Sequence, residues 1–208
     1  MARYTGPVCR LCRREGEKLF LKGDRCYSNK CAMERREGQP GVHPKMRGRL
    51  SEFKTQLREK QKVKRMYGLL ERQFRRIFFV ADAKKGITGE ALLQELESRI
   101  DNMVYRSGIA SSRREGRQLV RHGHILVNGK RVNIPSAPVK PGDVIRVVEK
   151  SRQLGRINQS LASAESRRLP DWLELDRGNY EVKIKALPTR EQLTHPMREQ
   201  LIVELYSK

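Results

Sequence analysis

Four cysteines and a set of arginines are the residues of this chain whose types and spacing could do chemistry. Cys9 and Cys12 form one close pair, Cys26 and Cys31 a second, and the thirteen residues between the pairs are mostly polar. Two pairs joined by a polar loop can turn four thiolates onto one tetrahedral Zn2+ with no coordination position left over, so such a metal is structural and not catalytic. An iron-sulfur cluster is the lesser alternative for the same donors. Disulfides are disfavoured if the chain is cytosolic. The first forty or so residues are too polar to fold on a core alone, so metal binding would supply much of their folding free energy. The arginines are Arg113, Arg117 and Arg121, four residues apart and so on one helix face, with Arg114 beside them. No acidic residue stands at the i+4 positions of that face to neutralise them, and the spacing predicts a charged ridge facing phosphates.

The surrounding residues must position that ridge. Ser112 followed by Glu115, and Ser98 followed by Asp101, each have the pattern of a capping box that starts a helix. Gly108 and Gly123 stand where those two short helices must stop. Asn128-Gly129 between Ile125-Leu126-Val127 and Lys130-Arg131-Val132 is a two-residue hairpin signal, and Pro141-Gly142-Asp143 turns the chain into a β-branched strand at Val144 to Val148. Lys130 on the hairpin joins the candidate phosphate contacts. His122 and His124 flank Gly123 and could meet phosphate or sugar, or simply cap the helix end.

Composition points the same way. Lysine and arginine number 45 against 24 acidic residues, a formal charge of +21 that favours a polyanionic partner. The excess is concentrated before residue 86, where 24 basic residues face 9 acidic ones. There a helical stretch from Ser51 to Asp82 carries an apolar stripe of Phe53, Leu57, Val63, Tyr67, Leu70, Phe74, Phe78 and Ala81. Lys54, Arg58, Lys62, Arg65, Arg72 and Arg76 fall on the opposite side if the helix keeps phase through Gly68, which could instead divide it. With no compensating glutamates on that face, it is a second basic surface. Arg10, Arg13, Arg14, Arg35 and Arg36 around the cysteines are a third.

Elsewhere the pattern predicts a helix over Ile87 to Glu97 with Thr88 as N-cap, and a helix within Ser151 to Arg168 carrying Leu154, Ile157 and Leu161. Two strands, at Trp172 to Leu175 and Tyr180 to Lys185, flank a turn-rich tetrapeptide, and Leu201 to Tyr206 reads as a strand or extended tail. No apolar run approaches the roughly 18 to 20 residues of a membrane span and no secretory leader is visible, so a cytosolic protein without a membrane partner is expected. Walker, G-x-S-x-G, H-E-x-x-H and Rossmann patterns are missing, and the expectation is a binder and not an enzyme. Aromatic residues make up 6% of the chain, which argues against a binder built mainly on base stacking.

The segment RIDNMVYRSGIASSRREGRQLVRHGHILVNGKRVNIPS, with VKPGDVI after it, closely resembles the RNA-binding module of the bacterial small-subunit ribosomal protein S-four family. The resemblance extends to LREKQKVKRMYGLLERQFRR at Leu57 to Arg76, PDWLELD at Pro170 to Asp176, LPTRE at Leu187 to Glu191 and EQLIVELYSK at the C-terminal end, covering nearly the whole chain. The paired cysteines are similar to those of members that keep an N-terminal zinc site.

The resemblance implies an α+β protein. It has a zinc-bound four-cysteine segment over 1–45, a helical domain over 46–97 joined by the tail 196–208, and an RNA-binding domain over 98–195. The core module of that domain, 98–148, packs two short helices on a small, mostly antiparallel sheet. The resemblance also implies early binding to 16S rRNA near a multi-helix junction, nucleation of the body of the 30S subunit, and contacts with ribosomal protein S-five and other 30S proteins. A place near the mRNA entry path, an influence on decoding accuracy and, in some members, repression of the parent operon complete the inherited expectations. The alternatives are a zinc-containing nucleic-acid-binding regulator and an RNA-modification factor that carries the same module.

Overall fold

Gly68, at φ +67°, ends a helix where the apolar stripe could have carried it on. The computed structural model describes residues 3–36, 38–41, 51–164, 169–193 and 195–207. The described helices are α1 (Cys9–Glu15), α2 (Ala32–Arg35), α3 (Glu52–Met66), α4 (Glu71–Asp82), α5 (Thr88–Glu97), α6 (Ile100–Arg106), α7 (Arg113–Arg121), α8 (Gly155–Ala164) and α9 (Glu199–Tyr206). The strands are β1 (Ile125–Val127), β2 (Lys130–Arg131), β3 (Val144–Val147), β4 (Leu173–Asp176) and β5 (Glu181–Ile184). The chain divides into two compact units, one of residues 1–93 with 195–208 and one of residues 94–194. The expected boundary at 45/46 lies outside the described residues, as does the end of the expected 151–168 helix.

In the first unit the stretch expected as one helix with a possible break is two. Ser51 caps α3 by accepting the Lys54 N–H at 3.2 Å, and the left-handed turn at Gly68 closes it, with the Leu69 N–H donating to the Lys64 carbonyl at 2.9 Å. The break takes Phe53 and Leu70 out of the stripe, and both are exposed, while Val63, Tyr67, Phe74, Phe78 and Ala81 are buried. Leu201 to Tyr206 is not a strand but part of α9. Its β-branched run suggests extension, yet tertiary packing decides: Ile202 is fully buried, and the Tyr206 ring sits 4.6 Å from Phe78 and 6.4 Å from Phe74. Gln56 of α3 donates to Glu204 of α9 at 2.9 Å. Thr88 is not an N-cap either. It lies inside α5, whose Ala91 N–H reaches the Ile87 carbonyl, and its hydroxyl donates to Asp82 at 3.3 Å.

The second unit is a five-stranded sheet in the order β2-β1-β3-β5-β4, antiparallel at every pairing, with a helical core. Asn128 at φ +49° and Gly129 at φ +77° make the two-residue turn that joins β1 to β2. Asn128 also accepts the Val144 N–H at 2.9 Å and donates to Asp143 at 2.8 Å, which pins the hairpin to β3. Ile100, Met103, Val104, Ile109, Val120, Ile125, Ile145, Val147, Val182 and Ile184 are sealed from solvent, and Ile157 and Leu161 of α8 join them. Leu154, expected on that face, precedes α8 and is exposed. Each such fully buried side chain contributes ~1.5–3 kcal/mol by leaving water. Helices α6 and α7 approach so closely at Gly116 that a Cβ there would lie 2.6 Å from the Asp101 carbonyl oxygen.

Candidate nucleic-acid interface

Helix α7 starts where Ser112 accepts the Glu115 N–H at 3.3 Å. The Glu115 carboxylate returns to Ser111, accepting its N–H at 2.8 Å and its hydroxyl at 2.6 Å, so the capping box is closed one residue early. The Ser98 box does not form. The N-cap of α6 is Arg99, the Ser98 hydroxyl donates to the Glu95 carbonyl at 3.0 Å, and Asp101 instead receives a two-pronged contact from Arg99 at 3.1 and 2.7 Å.

That arrangement overturns the three-arginine ridge. Arg113 and Arg117 are only 8% and 9% exposed and point inward. Arg113 donates to Asn102 at 2.7 Å, lies 3.9 Å from Glu97 and stacks its guanidinium 4.8 Å over Tyr105, while Arg117 pairs with Asp101 at 3.6 Å. Glu97 itself is fully buried and accepts from Arg106 at 2.9 and 2.6 Å and from Asn102 at 2.6 Å. Burial pushes the Asp101 carboxyl upward, with the charges of Arg99 and Arg117 opposing. The counter-ions come from the preceding helices, so no inspection of α7 alone could find them.

What α7 presents to solvent is Arg114, Gln118 and Arg121, followed by His122. The adjoining hairpin adds exposed Lys130 and Arg131. Gly123, at φ +74°, lets Arg131 cross the corner, since a Cβ there would sit 3.1 Å from the Arg131 side chain. The sequence pattern did not single out Arg131 as a contact. Its one signal is its place two residues past the Asn128-Gly129 turn, opposite Leu126 on β1. His124 is half-buried, with Nδ1 2.9 Å from Ser151 Oγ and its ring 6.1 Å from His122. Burial, then the nearby His122 and Arg131 charges, push its pKa down, which favours a neutral ring that fixes the corner over a phosphate-binding cation.

The basic face expected on the long helix is also divided. Arg58 and Arg65 both pair with Glu15, whose side chain is buried, and Lys62 is held by Glu59 at 2.8 Å, Glu17 at 3.3 Å and the Pro196 carbonyl at 2.8 Å. These three cations tie α3 to α1 and to the tail before α9, so they do not form a phosphate-facing stripe. Lys54 stays partly open, and Arg72 and Arg76 on α4 are exposed. Near the cysteines Arg10, Arg35 and Arg36 are exposed, whereas Arg13 donates to the Gly38 and Gln39 carbonyls and Arg14 to the Gln39 side chain at 3.0 Å.

Two family models meet within this fold. Residues 3–97 match the ribosomal protein S4/S9 N-terminal domain, and residues 98–145 match the S4 domain. Over full length the chain is 60% identical to the small ribosomal subunit protein uS4 of Geotalea daltonii, 62% to that of Syntrophotalea carbinolica and 60% to that of Syntrophobacter fumaroxidans, each covered completely in both chains. The chain belongs to the uS4 family. Its two family modules join at residue 97/98, a few residues from the 93/94 division between the structural units. The exposed α7 and hairpin cations therefore belong to the S4 domain of a uS4 chain. No described helix of it is long and apolar enough to cross a membrane.

The cysteines of this uS4 chain are all free thiols, with Cys12, Cys26 and Cys31 buried and Cys9 half-buried. Burial pushes the Cys12 and Cys26 thiols up. Cys12 also feels the charges of the other three cysteines, and Cys26 those of Cys31 and Cys9. Cys26 Sγ accepts the Lys22 N–H at 3.3 Å, and Cys12 receives a backbone bond from Leu19, the kind of N–H support that holds a thiolate ligand in place. The donor set fits a four-thiolate site in kind. Among the described residues, however, no group of three or more cysteine, histidine or acidic side chains stands close enough to hold a metal ion.

Proposed function

We propose that this chain binds 16S rRNA through the S4 domain, nucleates assembly of the body of the 30S subunit, and lies beside ribosomal protein S-five near the mRNA entry path, where it influences accuracy. Membership of the uS4 family makes it a structural, non-enzymatic constituent of the small ribosomal subunit that binds rRNA in the cytoplasm. The observation that carries the RNA contact is the sorting of cations on α7: Arg113 and Arg117 are held inward by Glu97 and Asp101, leaving Arg114, Arg121 and His122 with Lys130 and Arg131 outward. Cations turned outward from one helix face and its hairpin suit the phosphates and 2'-hydroxyls of folded RNA, whose deep major groove admits no helix.

The test is filter binding of the full chain to a 16S rRNA 5'-region fragment over a salt series, with duplex DNA as competitor. Replacing Arg114 and Arg121 with alanine should weaken binding and lower the salt slope by roughly one for each phosphate no longer neutralised. Competition by duplex DNA at equal potency would overturn the rRNA reading.

The four thiols would hold one Zn2+ as a structural ion that closes the loop between Leu11 and Lys30. Support lies in their shared electrostatics, burial and N–H bonds to sulfur. Elemental analysis of protein purified without chelator should return one zinc per chain, with the four thiols unreactive until a chelator is added. An absence of metal, or immediate titration of all four thiols, would sink the assignment.

A further inference from the structure

Helix α4 carries an aromatic ring on its outer side, touching the buried Phe78 edge-on at 5.9 Å but half open to solvent. At ~100° per residue, Arg72, Arg75, Arg76, Phe79 and Ala83 fall within an arc of roughly 100°, and Phe79 lies about 160° from Ala81 at the buried pole. Phe79 is accordingly 50% exposed, while Phe74 and Phe78 on the inner side are buried. The Arg75 guanidinium sits 5.4 Å over the Phe79 ring, a cation–π contact that orders the ring at the surface.

The cations around it are uncommitted. Among the described residues neither Arg72 nor Arg76 makes an ion pair, in contrast to Arg58, Lys62 and Arg65 one helix earlier. Of the acids on α4, Glu71 is bound by Lys60 and Lys64 at 2.7 Å, and Asp82, one turn past Phe79, accepts from Thr88. The exposed ring stands at the C-terminal end of a row of three arginines, which makes its surroundings predominantly basic. It has both halves of what an unpaired nucleotide requires, a surface for its π-face and a charge for its phosphate.

We propose that Phe79 is a stacking platform for one unpaired base of RNA, with Arg75 bracing the ring and Arg72 and Arg76 holding the flanking phosphates. The proposal rests on the rRNA-binding reading and gives the first unit its own contact to the same partner. It asks for a bulged or looped nucleotide and not for a duplex, since paired bases present no free face.

The experiment compares wild type with Phe79→Ala, Phe79→Leu and Phe79→Trp for binding to the 16S rRNA 5'-region fragment, with Arg72→Ala as the electrostatic control. Base–aromatic stacking predicts roughly a five- to hundred-fold fall in affinity in Phe79→Ala. Phe79→Leu should fail similarly despite its bulk, Phe79→Trp should bind as well as wild type, and none of the three should change the salt slope. Arg72→Ala should reduce the slope by about one. Circular dichroism checks that each variant is folded. Equal affinity for wild type, Phe79→Ala and Phe79→Leu would overturn the platform while leaving the rRNA reading intact. Absence of salt-dependent rRNA binding by wild type would instead defeat that reading. Normal binding of Phe79→Ala to the rRNA fragment, combined with failure to enter subunits reconstituted from purified proteins, would assign the ring to a protein neighbour and also refute the proposal.

Discussion

Replacing Glu97 with alanine should unfold the second unit far more readily than its position at the end of a helix suggests. The carboxylate is fully buried and receives three bonds from two partners, Arg106 Nε and Nη2 at 2.9 and 2.6 Å and Asn102 Nδ2 at 2.6 Å, with Arg113 3.9 Å away. Removing it takes the buried negative charge away from Arg106 and Arg113, both largely shielded from water, although Arg113 keeps its bond to Asn102. Breaking a buried ion pair from one side costs ~3–5 kcal/mol, because the remaining charge is left without water or partner. For a domain of this size each kcal/mol lowers the thermal midpoint by ~4–8 °C, so a drop of at least ~12 °C is expected. Glu97→Gln should cost less, since an amide oxygen can still accept one bond. The assay is thermal unfolding by circular dichroism with Arg121→Ala as an exposed control that melts as wild type does. A Glu97→Ala midpoint within about 2 °C of wild type would refute the buried-network argument, on the same conversion of free energy to temperature.

Gly116→Ala should destabilise by ~1–3 kcal/mol, read as a lower urea midpoint, because its Cβ would meet the Asp101 carbonyl oxygen at 2.6 Å and force α6 and α7 apart. Asn128→Ala should destabilise by about 1–2 kcal/mol, again read as a lower urea midpoint, as it removes two side-chain bonds and puts a Cβ residue without a local polar partner at φ +49°. Partial burial raises the Glu71 carboxyl, but hydrogen bonds from Lys60, Lys64 and Tyr206 outweigh it and hold it at about 2. Its folded pKa is thus below the ordinary 4.5, so its contribution is present above pH 4.5 and is lost as pH falls toward 2. Glu71 is 46% exposed at its side chain, so that contribution is about 1 kcal/mol or less after screening, and Glu71→Gln should flatten the acid limb of a stability-against-pH curve in that window.

Turns and one helix cap were legible, whereas the Ser98 and Thr88 caps and distant pairing were not. Asn128-Gly129, Gly108, Gly123 and Ser112 each determine backbone within a few residues, and the structure uses all four as turn or cap. The inward turn of Arg113 and Arg117 depends on Glu97 and Asp101, which a reading of one helix face cannot supply. The same blindness hid Glu15, placed by folding against Arg58 and Arg65 from 43 and 50 residues away. The helical state of α9 was illegible for a related reason: its apolar residues are suited to extension until the Phe74 and Phe78 surface gives them a helical complement. Arg114 and Arg121 stand as candidate contacts because α7, once its inner face is fixed by Arg113 and Arg117, turns both of them to solvent.

Tyr206 of α9 covers rings made more than a hundred residues earlier in the chain. A polypeptide emerging at about 5–20 residues per second leaves Phe74 and Phe78 without that cover for on the order of ten seconds. Residues 94–194, the whole of the second unit, are synthesised in that interval. The earlier-made unit is therefore completed only by the last residues synthesised, and until then it waits as a sticky nascent surface. A released chain ending just before residue 195 would keep the Phe74 and Phe78 surface open to chaperones.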